Sequence, residues 1–110
     1  MNQTLEVEIL KTEHSPVPVW EGRISHDTAG MADRAGIHKA IWRPHEIGAD
    51  YTDDIVELLE DGIRKLEDDP HRFVLNEDHW ESYEELLHFS REYLNGCKVH
   101  PGHRIKTYLR

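Results

Sequence analysis

The chain has 110 residues and a formal net charge of −9, with 22 Asp and Glu against 13 Lys and Arg and nine His counted as neutral. That length supports one domain with one core. No run approaches the ~18 apolar residues of a membrane span, and Met1-Asn2-Gln3-Thr4-Leu5-Glu6 lacks the basic and apolar stretches of a signal peptide, so a cytoplasmic location is expected, with no membrane partner. The single Cys, Cys97, excludes an internal disulfide and any multi-Cys zinc or iron–sulfur site.

Thr4 to Leu10 alternates, with Leu5, Val7 and Ile9 on one side and Thr4, Glu6 and Glu8 on the other, the period of a half-buried strand. Ser15-Pro16-Val17-Pro18 removes two backbone donors within three residues and reads as a turn or sheet edge, after which Val19 to Ser25 forms a second strand. Asp27 and Thr28 are both suitable caps for a short helix over Ala29 to Ala35, closed by Gly36, and a further helical turn from Ile37 to Trp42 runs up to Pro44.

Thr52 to Asp68 carries Ile55, Val56, Leu58, Leu59, Ile63 and Leu66 as one stripe at helical spacing, with Asp53 and Asp54 in its first turn and Asp68-Asp69-Pro70 ending it. Ser82-Tyr83-Glu84-Glu85 reads as a capping box ahead of the stripe Tyr83, Leu86, Leu87, Ser90, Tyr93, Leu94 and Cys97, and Asn95-Gly96 frays or closes that helix. Arg104 to Leu109 alternates again, as a returning strand. These elements predict an α+β fold, with a small sheet from the N-terminal, middle and C-terminal segments on two main amphipathic helices and a short helix.

Charge is unevenly placed. Residues 51–95 hold fourteen carboxylates against four cations, a net −10, and residues 96–110 carry four cations and no carboxylate. An acidic face repels phosphates, so direct nucleic-acid binding is not expected. Either the face is a solvated helix surface, or it mimics DNA or docks on a basic host protein.

Three groups of residues have chemistry to offer. Ser25-His26-Asp27-Thr28 leads into a helix start and combines an imidazole, three oxygen-bearing side chains and unpaired N–H groups. It can hold an anion, or it can be a cap with a packed His. Trp42-Arg43 sets an indole beside a guanidinium in a segment that Pro44 forces out of helix, suited to a nucleobase, carboxylate or phosphate; alternatively Trp42 is a core anchor and Arg43 pairs with a carboxylate. Trp80 and Tyr83 either wall a pocket or staple the start of the last helix. His100-Pro101-Gly102-His103 gives a two-ligand spacing and His38 and His45 could supply others, but there is no His-Glu-x-x-His, no second Cys and no tight carboxylate–His cluster, so no metal or cofactor is assigned. Cys97 reads as a small buried thiol.

Ile24-Ser25-His26-Asp27, Met31-Ala32, Ala35-Gly36-Ile37 and Trp42-Arg43-Pro44 together resemble a family of small uncharacterised proteins of bacteriophages and bacteria that read Thr-His-Asn, Met-Ala, Ala-Gly-Ile/Leu and Leu-Trp-Arg-Pro-Glu over this span. Trp80-Glu81-Ser82-Tyr83-Glu84, Phe89, Tyr93-Leu94, Cys97 and Pro101 look like the same family's last helix, so the likeness covers about residues 20 to 110. Ser25 stands for Thr and Asp27 for Asn, the latter exchanging an amide donor for a negative charge. The resemblance implies a phage or mobile-element setting and gives no activity to carry over.

The reading that follows is a non-catalytic accessory protein that binds a small anionic or nucleotide-like ligand, compatible with an anti-defence role. Its pocket is formed by Ser25, His26, Asp27, Thr28, Trp42, Arg43, Trp80 and Tyr83. Two alternatives stand: an enzyme with His26 as general acid or base oriented by Asp27, and a docking module or DNA mimic acting through the acidic helices.

Overall fold

The N-terminal alternation is realised as strand β1, Thr4–Leu10, in a computed structural model that describes residues 3–12 and 14–110. Leu5, Val7 and Ile9 are buried on one face, and Thr4, Glu6 and Glu8 lie on the other. Strands β2, Trp20–Ser25, and β3, Arg104–Leu109, flank β1 on either side and both run antiparallel to it, in the order β2-β1-β3. Ile24 and Ile105 join the inner face of β1 in one core with the helices. On the outer face Glu6 bridges Arg23 at 2.9 Å and Arg110 at 3.2 Å, tying strands β2 and β3 to the central one.

After β2 the chain takes a single 3-10 turn, His26–Thr28, into helix α1, Ala29–Arg34, and then α2, His38–Trp42. Gly36 turns between them with φ of 78°, a left-handed conformation that glycine adopts without a Cβ clash. Short 3-10 turns at Pro44–Ile47, Thr52–Asp54 and Pro70–Arg72 surround helix α3, Val56–Asp68, and helix α4, His79–Val99, packs antiparallel on α3 and against β2. The fold is α+β: one small antiparallel sheet with helices on its apolar face.

Three expectations from the sequence are corrected. The continuous helix from Thr52 breaks at Ile55, because Thr52 is buried with its hydroxyl donating to the His100 carbonyl and accepting the His103 N–H. That clamp fixes the first turn to the loop before β3, and Leu58 leaves the apolar stripe, 38 % exposed. Ser82 does not cap α4. The helix begins at His79, one turn earlier, where the Asn76 side chain accepts the Asp78 N–H and His79 Nδ1 accepts the Leu75 N–H. Nor does Asn95-Gly96 end α4, which continues to Val99 because Gly96 lies directly beneath the Trp20 ring and Cys97 is in the core.

Glycines separate helix propensity from packing. Gly62, in the middle of α3, faces Ile37, and a Cβ there would overlap Ile37 Cγ2, whereas Gly30 in α1 opens on empty space. Gly30→Ala should therefore stabilise the protein by about 0.5–1 kcal/mol. Gly62→Ala should lose that gain and more, since overpacking costs roughly 1–3 kcal/mol. Urea denaturation of the two variants checks the opposite signs.

Candidate functional site

The end of β2 is held by an exchange of side-chain and backbone bonds. Ser25 Oγ accepts the Asp27 N–H at 3.2 Å, and the Thr28 hydroxyl, fully buried, donates back to the Ser25 carbonyl at 2.8 Å. The Ser25 N–H, which faces away from β1, donates to the carboxylate of Glu85 on α4 at 2.8 Å. Ser25 thus caps the turn, and Thr28 closes it without making a side-chain cap to helix α1.

His26 is fixed in turn by α2. The indole N–H of Trp42 donates to His26 Nδ1 at 3.1 Å. An indole nitrogen can only donate, so Nδ1 carries no proton in this arrangement and the proton of the neutral ring sits on Nε2. Trp42 itself is buried, with His38 stacked on its other side at 5.3 Å between centroids and 13° between planes. Three rings, His38, Trp42 and His26, thereby run in contact from α2 to the end of β2.

Of the eight residues singled out in the sequence, five share this junction: Ser25, His26, Asp27, Thr28 and Trp42. Arg43, the next residue after Trp42, turns its 62 % exposed side chain to Glu46 at 3.0 Å. Tyr83 donates its hydroxyl to the Leu66 carbonyl at 2.7 Å and pins α4 to α3, while the Trp80 ring leans edge-on against both Tyr83 and His71. Asp27 is exposed, and the hydrogen bond that orients the imidazole comes from Trp42.

Sequence reasoning missed Glu85 as the partner of β2 and His38 as the partner of Trp42. Glu85 is sixty positions from the N–H it accepts, and no local pattern reports such a contact. The spacing of His38 and Trp42, four apart on one helix, does place their rings on one face and is a readable signal. Trp20 was also passed over. Its ring stacks on Tyr93 at 5.3 Å between centroids and lies within about 3 Å of where Cβ atoms would stand at Gly22 and Gly96.

His100 and His103 approach to 5.4 Å between ring centroids, and among the described residues no three His, Cys, Asp or Glu are grouped to hold a metal. Among them also, no helix is long and apolar enough to cross a membrane. Burial, with the Asp53 carboxylate adding to it, pushes the Cys97 thiol from 9.0 up to about 12. Burial likewise raises the hydroxyl of Tyr93 well above its usual value.

Two measurements test these assignments. Trp42→Phe keeps an aromatic ring but removes the donor; it should cost about 1 kcal/mol for the hydrogen bond, with a further cost for the volume lost from a buried indole, and release His26 Nδ1, seen by imidazole nitrogen NMR as a redistribution between the two neutral tautomers. An unaltered tautomer would mean that the indole does not set it. For Cys97, the unfolded thiol ionises near 9.0 while the folded one keeps its proton to about 12, so the unfolded chain binds fewer protons in that interval. Stability should accordingly fall as pH rises through that window, with Tyr93 adding the same sign above 10.0. Cys97→Ala should flatten the dependence of the urea midpoint on pH above 9.

Comparison with protein-family models, with curated proteins and with solved structures returns no match for this chain.

Proposed function

We propose that this is a non-catalytic binding protein that holds a small nucleotide-like ligand at the junction of β2 and α2, through the base edge of that ligand. The observation that carries the reading is the hydrogen bond from the Trp42 indole to His26 Nδ1. It leaves His26 a fixed donor through Nε2, and Asp27 supplies acceptors one residue along the turn. A neutral donor beside a carboxylate matches the donor–acceptor edge of a nucleobase. Glu85 adds a second carboxylate against Ser25, and Arg43 is paired with Glu46, so the local charge favours the base over the phosphate of a nucleotide.

The same bond argues against His26 as a catalytic acid or base. Its acceptor nitrogen already takes the Trp42 N–H, so it is not free to take a proton from a substrate. In the phage or mobile-element setting that the resemblance implies, capturing a nucleotide-like host signal would make this an accessory protein with an anti-defence role.

NMR titration with adenosine, guanosine and cytidine, alongside inorganic pyrophosphate, tests the reading. At least one nucleoside should shift the His26 imidazole and Trp42 indole resonances and bind several-fold more weakly to Trp42→Phe, with pyrophosphate inert. Binding of pyrophosphate in preference, nucleoside shifts that map elsewhere, or no binding by any of the four would each overturn it.

A further inference from the structure

Strand β2 is the outer strand of the sheet on its side. The His26 N–H bonds across to the Gln3 carbonyl, so the alternate residues Glu21, Arg23 and Ser25 turn their N–H and C=O groups away from β1. At Ser25 both groups are taken, the N–H by Glu85 and the carbonyl by Thr28. Glu21 and Arg23 keep theirs turned outward, and among the described residues no strand lies beyond them. The opposite edge is different: the Ile105 N–H donates to the Asp50 carbonyl and the Thr52 N–H to the His103 carbonyl, so the 50–52 segment covers the start of β3.

Beside the open edge, β2 and α4 enclose a cleft of about 300 Å³ with Trp20, Gly22 and Phe89 among its lining residues. The Trp20 ring lies over Gly22, where a Cβ would meet it, and packs edge-on to Phe89. Its rim carries Glu21 from the strand and Glu85 and Glu92 from α4. Among the described residues no Lys or Arg pairs with these three carboxylates; of the basic side chains lining the cleft, Arg23 is bound to Glu6 and His88 lies on α4 between Glu85 and Glu92. On the outer surface of α3 and α4, by contrast, some carboxylates are paired: Glu60 meets Lys98, Asp61 meets Arg64 and Glu67 meets Arg91. Among the described residues, three carboxylates are thus gathered around the cleft at the sheet edge without a Lys or Arg partner.

We propose that this edge and cleft form a docking site for an extended basic segment of a partner protein, which adds to β2 as a fourth strand. Its backbone satisfies Glu21 and Arg23. Successive side chains of a strand alternate in direction, so every second one points into the cleft over Phe89 and Trp20. Glu85 and Glu92 lie roughly 10 Å apart along the helix, at ~1.5 Å per residue. Two Lys or Arg side chains at alternate positions of the strand, ~7 Å apart, reach both. A second copy of this chain would instead bring its own Glu85 and Glu92 against these, so charge selects a basic partner over self-association.

The probe is the peptide acetyl-Lys-Val-Lys-Val-Lys-Val-amide, compared with its Glu-for-Lys counterpart and with the same basic peptide N-methylated at alternate residues to abolish strand pairing. Amide NMR of the full chain should show shifts confined to 20–25 and 85–92 and slowed exchange of the Glu21 and Arg23 amides with the basic peptide alone. Glu92→Lys should weaken binding about fivefold. Arg23→Pro removes an outward N–H without breaking a bond to β1. It should abolish binding even though it makes the cleft more acidic, with circular dichroism confirming the fold; if that variant does not fold, the N-methylated peptide decides the same point. Equal binding of the N-methylated peptide, shifts centred on α3, no binding, or protection of Glu21 and Arg23 that grows with protein concentration alone would overturn the proposal, the last in favour of a self-paired edge.

Discussion

The indole of Trp20 joins the two layers of this protein. It projects from the first residue of β2 into a slot floored by Gly96 of α4 and bounded by Gly22 of its own strand, stacked on Tyr93 and edge-on to Phe89. Any side chain at either glycine would displace the ring, so the approach of sheet to helix is set by two missing Cβ atoms and one large aromatic. An aromatic of this size removes a large apolar area from water in one step. Trp20 itself is partly buried and packs against the core rather than within it, with its outer side lining the cleft beside β2.

With that distance fixed, the polar contacts between the layers fall into place. Glu85 lies two turns before Tyr93 on α4 and reaches the last N–H of β2, and the turn that follows is closed by Ser25 and Thr28. The turn carries His26 to the end of α2, where the Trp42 indole meets it. A backbone N–H at a strand edge would otherwise face solvent or stay unsatisfied beneath the helix, so Glu85 serves the fold as well as the charge of the junction. Tyr83 repeats the device on the other side of α4, giving its hydroxyl to the buried Leu66 carbonyl in the last turn of α3. Two hydroxyls of α4, on Ser90 and Tyr93, are buried without a hydrogen-bond partner among the described residues. That arrangement costs stability, which the surrounding aromatic packing offsets.

The electrostatic character is likewise decided by geometry. Residues 51–95 hold a net −10, yet the antiparallel arrangement of α3 and α4 matches Glu60 to Lys98 and Glu67 to Arg91 across the pair. Such exposed pairs are worth little to stability, ~0–1 kcal/mol each. Their effect here is to match two of the carboxylates across the helix pair, while Glu21, Glu85 and Glu92 gather beside an open strand without a Lys or Arg partner among the described residues. A protein with the same composition and different helix registry would show its charge elsewhere.

Periodicity alone determined the three strands, the two main helices and the α+β class, because alternation and the 3.6-residue stripe are imposed on the sequence by the need to bury one face. The turn after β2 and the short helices either side of Gly36 were legible for local reasons too, but the cap is Ser25 and not Asp27 or Thr28. What the chain could not disclose were the events that depend on partners far along it. The break at Ile55 follows from Thr52 being clamped by the loop before β3, and the continuation of α4 through Gly96 follows from a Trp seventy-six positions earlier. The candidate site divides along the same line. His26 and Trp42 were visible as chemistry, but the hydrogen bond that fixes the imidazole, the pairing of Arg43 with Glu46, and the arrival of Glu85 are set by how the helices pack, since each depends on ångström-scale distances between elements that no local spacing encodes.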